Sequence, residues 1–238
     1  MRFLSKSIFF CFLIFTGSSL FAQKGLTTLG IQFKPIFPFN FLNTGPIFND
    51  TANVNFKTEL TSGFSGGLII RHSFSDLISL ETGINYVKRK YSLTITDSDT
   101  AFKGESSYRI ISYEVPVSAM IFTRVGENLY ASGALGPAVN MFASDIQTYD
   151  YYFNHVSSYR QIFQFAINGN IGFEYRTPKD GTIYLGVSYH RPFSYIYFDQ
   201  VRYKYHGKDV AVGNQLIGNY LTIDLRYYFH EEKKVSSE

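Results

Sequence analysis

The stretch Leu221-Thr222-Ile223-Asp224-Leu225-Arg226-Tyr227-Tyr228-Phe229 decides the fold. Successive side chains of an extended chain point to opposite sides, so Leu221, Ile223, Leu225, Tyr227 and Phe229 share one face while Thr222, Asp224, Arg226 and Tyr228 share the other. One face asks for lipid, the other for water or polar partners.

The same split recurs upstream, in seven further segments reaching back to Leu29. The sixth opposes Phe163, Phe165, Ile167, Ile171, Phe173 and Tyr175 to Gln164, Asn168, Asn170, Gly172 and Glu174. The third sets Ile78, Leu80, Ile84 and Tyr86 against Ser79, Glu81, Gly83 and Asn85; the fourth sets Ile111, Tyr113, Val115, Val117 and Ile121 against Ser112, Glu114 and Ser118. Segments one (Leu29, Ile31, Phe33), two (Phe64, Leu68, Ile70) and seven (Ile183, Leu185, Val187, Tyr189) follow. The fifth, Leu129 to Met141, is diluted by Gly133, Gly136 and Pro137, which predicts a bulge or local distortion because proline cannot donate to a ladder.

The connections alternate in length. Short ones fall at Ser73 to Asp76, Thr123 to Glu127 and Arg176 to Gly181; long ones run roughly Pro35 to Thr61, Leu93 to Ser106, Ala143 to Tyr159 and Tyr195 to Gly218. Alternating apolar-out strands with alternating short and long links are the pattern of an eight-stranded, antiparallel, up-and-down transmembrane β-barrel, all-β in class. In such barrels short turns face the periplasm, so both termini are expected there. A soluble sandwich or lipocalin-like barrel would instead place lysines on its outer wall, and lysines are scarce within these strands.

The amino end fits that compartment. Arg2 and Lys6 precede an apolar run from Ile8 to Thr16, then Gly17-Ser18-Ser19-Leu20-Phe21-Ala22, the order of a secretory signal peptide cut after Ala22. The expected organisation is a signal peptide over 1–22, a barrel over 23–229 and a short charged periplasmic tail over 230–238. The sole cysteine, Cys11, lies in the signal, leaving a mature chain without disulfides or thiolate metal sites. Loss of Arg2 and Lys6 lowers the formal charge from +3 to +1, which gives no electrostatic basis for nucleic-acid binding. The 24 Phe, 19 Tyr and 19 Gly suit close-packed strands with ring-lined membrane boundaries.

Tyr113-Glu114-Val115-Pro116-Val117 resembles the Tyr-Leu-Glu-Ile-Pro signature of the PorT-like outer-membrane β-barrel family, and Ser79 to Tyr86 with Gly66-Gly67-Leu68 resembles its second hairpin. The resemblance covers nearly all of the mature chain. It implies an outer-membrane barrel; most members have no assigned role, and the founding one belongs to a protein-secretion apparatus. The chain departs from barrels that end on the aromatic residue read by the assembly machinery: it continues from Phe229, the expected assembly signal, into His230 and a charged tail.

Eight strands leave an interior about wide enough for side chains alone, so no pore is expected. Lumen-facing Lys34, Arg71 and Arg226 oppose Glu81, Glu114, Glu174 and Asp224, and charges in so narrow an interior must pair; they read as a structural plug rather than a proton or cation path. Catalysis would need Ser, His and Asp groups near the rim, such as His155, His190 or His206 with Asp145, Asp150, Asp199 or Asp209, but no motif fixes their geometry. No catalytic, cofactor or metal residue is assigned. Asp97-Ser98-Asp99 lacks the longer pattern of a calcium loop, and Gly63, Gly66 and Gly67 precede no helix that would make a phosphate cradle.

Function is therefore expected in the outward loops. Tyr149, Tyr151 and Tyr152 in the third, and Tyr197, Arg202, Tyr203 and Tyr205 in the fourth, combine rings with a basic residue, a recognition composition, although an aromatic girdle would read alike. The apolar first loop, Pro35 to Phe41, is expected to fold over the mouth or touch lipid. The expected partners are outer-membrane lipid and lipopolysaccharide, the barrel-assembly machinery and an envelope or extracellular protein, with a monomeric chain, no cofactor and no enzymatic activity. A secretion accessory is the alternative, a lipid-modifying enzyme the third reading.

Overall fold

The computed structural model describes residues 25–39 and 42–230. The signal peptide, Phe41 and all but His230 of the tail lie outside the described residues.

Among the described residues the strands are β1 (Leu26–Phe37), β2 (Ile47–Thr51), β3 (Val54–Ser73), β4 (Ile78–Asp97), β5 (Phe102–Arg124), β6 (Leu129–Phe142), β7 (Ile146–Tyr149), β8 (Phe153–Tyr159), β9 (Phe163–Thr177), β10 (Gly181–Pro192), β11 (Tyr197–Tyr205), β12 (Lys208–Leu216) and β13 (Tyr220–Tyr228). Every pairing is antiparallel. The order β1-β13-β10-β9-β6-β5-β4-β3 closes on itself because β1 also pairs with β3, from Leu26 opposite Ser73 to Ile36 opposite Gly63. Eight strands thus form a ring without free edges, one of two ways a chain can cross lipid. No described helix is long and apolar enough to cross a membrane.

The fifth segment is β6. Its pairing with β5 lapses where Val117 and Ser118 face Pro137 and Gly136, with the same register on either side. The expected distortion is an interrupted ladder, caused by prolines 116 and 137 lacking N–H donors, and no residue is inserted. A register shift does occur at Leu60/Ser62 in β3.

The long connections are not loops. Leu93 to Ser106 is the tip of a β4–β5 hairpin, while β2–β3, β7–β8 and β11–β12 are further hairpins. Two of them turn through paired left-handed residues, Ala52-Asn53 (φ 53° and 61°) and His206-Gly207 (φ 46° and 79°), the geometry of a two-residue turn that matches strand twist. β7, β8, β11 and β12 form a separate four-stranded sheet facing the long-hairpin ends of β3, β4 and β5.

A change of phase explains this cap. Along β4 the even positions point outward: Ile78, Leu80 and Ile84 are exposed and greasy, but Lys88, Lys90, Ser92, Thr94 and Thr96 follow. The odd positions run Ser79, Glu81 and Asn85, then Val87, Arg89, Tyr91, Leu93 and Ile95, all buried. β5 inverts at the same level, with Val117, Val115, Tyr113 and Ile111 outside, then Arg109, Ser107 and Glu105, while Ile110 and Tyr108 turn in. Below the inversion the apolar face meets lipid; above it the apolar face builds a core. That core joins Val54, Phe56, Val87, Tyr91, Leu93, Ile95, Tyr108 and Ile110 to Phe153, Tyr197, Val201, Tyr203 and Val210 of the small sheet. The greasy belt of β4, Ile78 to Tyr86, has nine residues, close to the about 9–11 that a tilted strand needs to span the hydrocarbon.

Candidate functional site

Two regions carry the polar chemistry, the lumen and the cap. The lumen collects the inward polar positions of the barrel strands into one ion-pair chain. Lys34 Nζ lies 3.6 Å from Asp224, whose Oδ2 accepts from Arg226 Nη2 at 2.6 Å; Arg226 Nη1 reaches Glu81 at 2.6 Å. Arg71 continues the chain, 3.4 Å from Glu81 and 2.5 Å from Glu174. The Tyr228 hydroxyl donates to Glu81 at 2.5 Å, and the Arg71 guanidinium lies 3.7 Å above its ring.

Six of the seven lumen charges read from the sequence thus meet directly. Glu114 forms a branch of its own, accepting from Tyr220 Oη at 3.0 Å and Asn85 Nδ2 at 3.2 Å, with His190 Nδ1 at 2.8 Å. His190 also stacks on Tyr220, 4.6 Å between centroids, which ties it into this network. Two members escape the strand pattern. Arg176, assigned to a turn in the sequence, bonds Glu174 at 2.6 Å and brings the cations to four against four carboxylates. Arg89 is buried with no carboxylate partner among the described residues, donating to Gly218 O and Ser112 Oγ between the rings of Phe142 and Tyr220. Its position next to inward-facing Val87 and Tyr91 is the signal that could have found it.

The free space is correspondingly small. A cavity of about 20 Å³ lies among Glu114, His190, Tyr220 and Arg226, enough for about one water. At the short-turn end a vestibule of about 460 Å³ opens beside Arg71, Glu174, Arg176 and Tyr228, and the plug stands at its floor.

The cap divides the loop residues read as a recognition surface. Tyr197 and Tyr203 are 1% and 0% exposed, core residues of the small sheet, because the alternation of β11 turns them inward. Neither can touch a partner. Tyr152 and Tyr205 are half-buried against Phe102, at 5.5 and 5.1 Å. Arg202 is exposed but held by both oxygens of Asp209 at 2.7 Å, and its hydrogen bonds keep the Asp209 carboxyl down at about 2. Tyr149 and Tyr151 remain, 70% and 90% exposed at the β7–β8 tip.

The same packing accounts for the other candidates. Lys208 Nζ donates to Asp97 at 2.7 Å and Asp99 at 2.8 Å, filling with an ammonium the oxygen pair weighed as a calcium loop. The lysine's hydrogen bond, with a backbone N–H of Asp99, holds the Asp97 carboxyl down at about 2. His155, Ser157 and Asp199 do come together with Tyr108, all buried. Yet the Ser157 hydroxyl donates to Asp199 and not to His155, Tyr108 Oη donates to the same carboxylate at 2.8 Å, and His155 Nε2 stands 3.8 Å away. That is the reverse of a nucleophile primed by a histidine. His206 occupies the β11–β12 turn. No cluster of three His, Cys, Asp or Glu suited to a metal occurs among the described residues. Of the apolar first loop, Ile36 is buried in the cap core while Phe37 and Phe39 stay partly exposed. Phe229 is exposed beyond β13, its N–H donating to Leu29 O at 2.8 Å.

Compared with solved structures, the chain is similar to the outer membrane protein OprG from Pseudomonas aeruginosa, at 12% identity and a TM-score of 0.55 over 89% of this chain and 99% of that one. The fold is that of an outer-membrane β-barrel. A second structure, the beta domain of the Bordetella autotransporter Brka, aligns at 7% identity with a TM-score of 0.22 over 88% of this chain and 100% of that one. No family model matches the chain, and no curated protein does.

Proposed function

We propose that this protein is a non-enzymatic outer-membrane barrel that anchors an ordered cap at the cell surface and recognises an envelope or extracellular protein through it. The short turns and both termini face the periplasm, so β2, β7, β8, β11, β12 and the upper halves of β3 to β5 project outward. The observation carrying this reading is the pairing of a filled lumen with a rigid cap. A barrel plugged by paired charges has no conduction to gate, and a hairpin sandwich with its own apolar core holds Tyr149 and Tyr151 in a fixed orientation, which lowers the entropy lost on binding.

A pull-down of the detergent-solubilised chain from its own envelope, followed by mass spectrometry, tests this. A partner captured by the wild type and lost with Tyr149→Ala/Tyr151→Ala is the expected result; a chain that comes down alone under conditions that keep envelope complexes intact refutes recognition. The motif Tyr113 to Val117 supports a second reading, a PorT-like accessory of protein secretion, whose mark would be co-purified secretion components and a secretion defect on deletion. A lipid-modifying activity finds least support, since the Ser157, His155 and Asp199 groups are shut inside the cap.

A further inference from the structure

At the level where β4 and β5 exchange their greasy faces, three cations stand together on the outer wall. Lys90 is directly opposite Arg109, and Lys88, two residues below on β4, is opposite Ile111. Directly opposed side chains on neighbouring strands stand about 5 Å apart at Cβ, and like charges at that spacing repel. The rows above avoid the problem. Lys57 pairs with Glu59 at 2.8 Å and Lys103 with Glu105 at 2.7 Å. Lys88, Lys90 and Arg109 have no carboxylate within 4 Å among the described residues, and Glu59, the nearest acid by register, is held by Lys57.

The cations line a groove of about 390 Å³ in the wall, bordered by the Ser62 and Ser107 hydroxyls and by Phe64 on the lipid side. Below it the surface is belt: Ile111, Tyr113, Leu68 and Ile84 are outward-facing and exposed. An anion that fits must therefore belong to a molecule whose apolar part lies along that belt. We propose that Lys88, Lys90 and Arg109 bind the phosphate groups of lipopolysaccharide in the outer leaflet. The lysines supply point charges, the guanidinium can bind a phosphate through two parallel N–H donors, and acyl chains continue down the wall beside Phe64. The site rests on the outward orientation of the cap, which places this row at the outer-leaflet headgroups.

The full chain in detergent micelles, titrated with phosphorylated lipid A, dephosphorylated lipid A and inorganic phosphate, tests the site. Wild type is expected to bind phosphorylated lipid A at least tenfold more tightly than the dephosphorylated form. Lys88→Gln/Lys90→Gln/Arg109→Gln should lose that preference, whereas Lys57→Gln/Lys103→Gln should keep it. Heat-modifiable migration shows that each variant is a barrel; should the triple variant not fold, Arg109→Gln alone is expected to lose about threefold. Equal affinity of the folded variant and wild type, indifference of wild type to the lipid phosphates, or full displacement of lipid A by millimolar inorganic phosphate overturns the proposal. Loss of a protein partner in place of lipid A would do the same. Orientation is read separately: Tyr151→Cys, labelled in intact cells by a membrane-impermeant maleimide, confirms the outward cap, and labelling only after permeabilisation overturns it whatever the micelle titration shows.

Discussion

Replacing Arg226 by methionine cuts the lumen chain at its centre. The guanidinium makes two hydrogen bonds to buried carboxylates, 2.6 Å to Glu81 and 2.6 Å to Asp224. Bonds to charged groups are each worth about 2 kcal/mol, so their loss comes to about 4 kcal/mol. That lies within the about 3–5 kcal/mol typical of breaking a buried pair from one side. The cost does not climb further because Glu81 keeps Arg71 and Tyr228, and Asp224 keeps Lys34, Ser188 and Thr222. The folded-to-unfolded ratio should fall about a thousandfold, at about 1.4 kcal/mol per factor of ten. Urea titration of the full chain in lipid bilayers, with the folded fraction read from heat-modifiable gel migration, measures it. A double-mutant cycle with Glu81→Gln isolates the shared bond, and a coupling of about 2 kcal/mol is expected. The exposed pair Lys103–Glu105 serves as reference, where Lys103→Gln should cost under about 1 kcal/mol. If Arg226→Met costs no more than that and the cycle shows no coupling, the lumen is wet and screened, and the plug is refuted.

Phe56→Ala, at a fully buried position of the cap core, should cost about 3–5 kcal/mol locally; hydrogen exchange should rise in β2, β8 and β11 while the barrel keeps its gel migration. The Lys208 clip has a defined pH window. Because the folded Asp97 carboxyl sits at about 2, below its ordinary 3.8, its contribution is complete above about pH 4 and is lost as pH falls toward 2. Protease nicking near Asn53 and Lys208 should therefore begin only below pH 4 in wild type and be present at neutral pH in Lys208→Met. A Cβ at Gly186 would overlap the Tyr184 hydroxyl, the ring carbon that bears it and the backbone carbonyl of Ile171, so Gly186→Val should reduce refolding yield into vesicles, and Tyr184→Phe in the same chain should not restore it.

The barrel was legible because lipid enforces a period of two over every crossing strand, and the turn residues Pro178-Lys179-Asp180 mark where the chain reverses. The lumen charges were legible for the same reason, since a polar residue opposite Leu225 or Phe173 has nowhere else to point. The cap was not. Its strands also alternate, as Tyr91, Leu93 and Ile95 do, but with the greasy side turned the other way; read under one rule, they pass for loops rich in tyrosine. Tyr203 therefore looked like a contact residue when it is a core residue. Arg176 and Arg89 escape the sequence because the one, in the last turnward residues of β9, reads as the start of a turn and the other lies beyond the inversion, where strand pattern alone does not assign a partner.

The inversion at Tyr86 and Val87 bears on how the protein is made. Before insertion the upper halves of β3 to β5 can collapse onto β8 and β11 as any soluble β-sandwich does, whereas the lower halves are inside-out in water and wait for lipid. On the proposed outward orientation the hairpins cross open and zip afterwards, so the tight turns at Ala52-Asn53 and His206-Gly207 double as nucleation points on the far side. On that orientation the order of biogenesis follows from which side of one strand is oily.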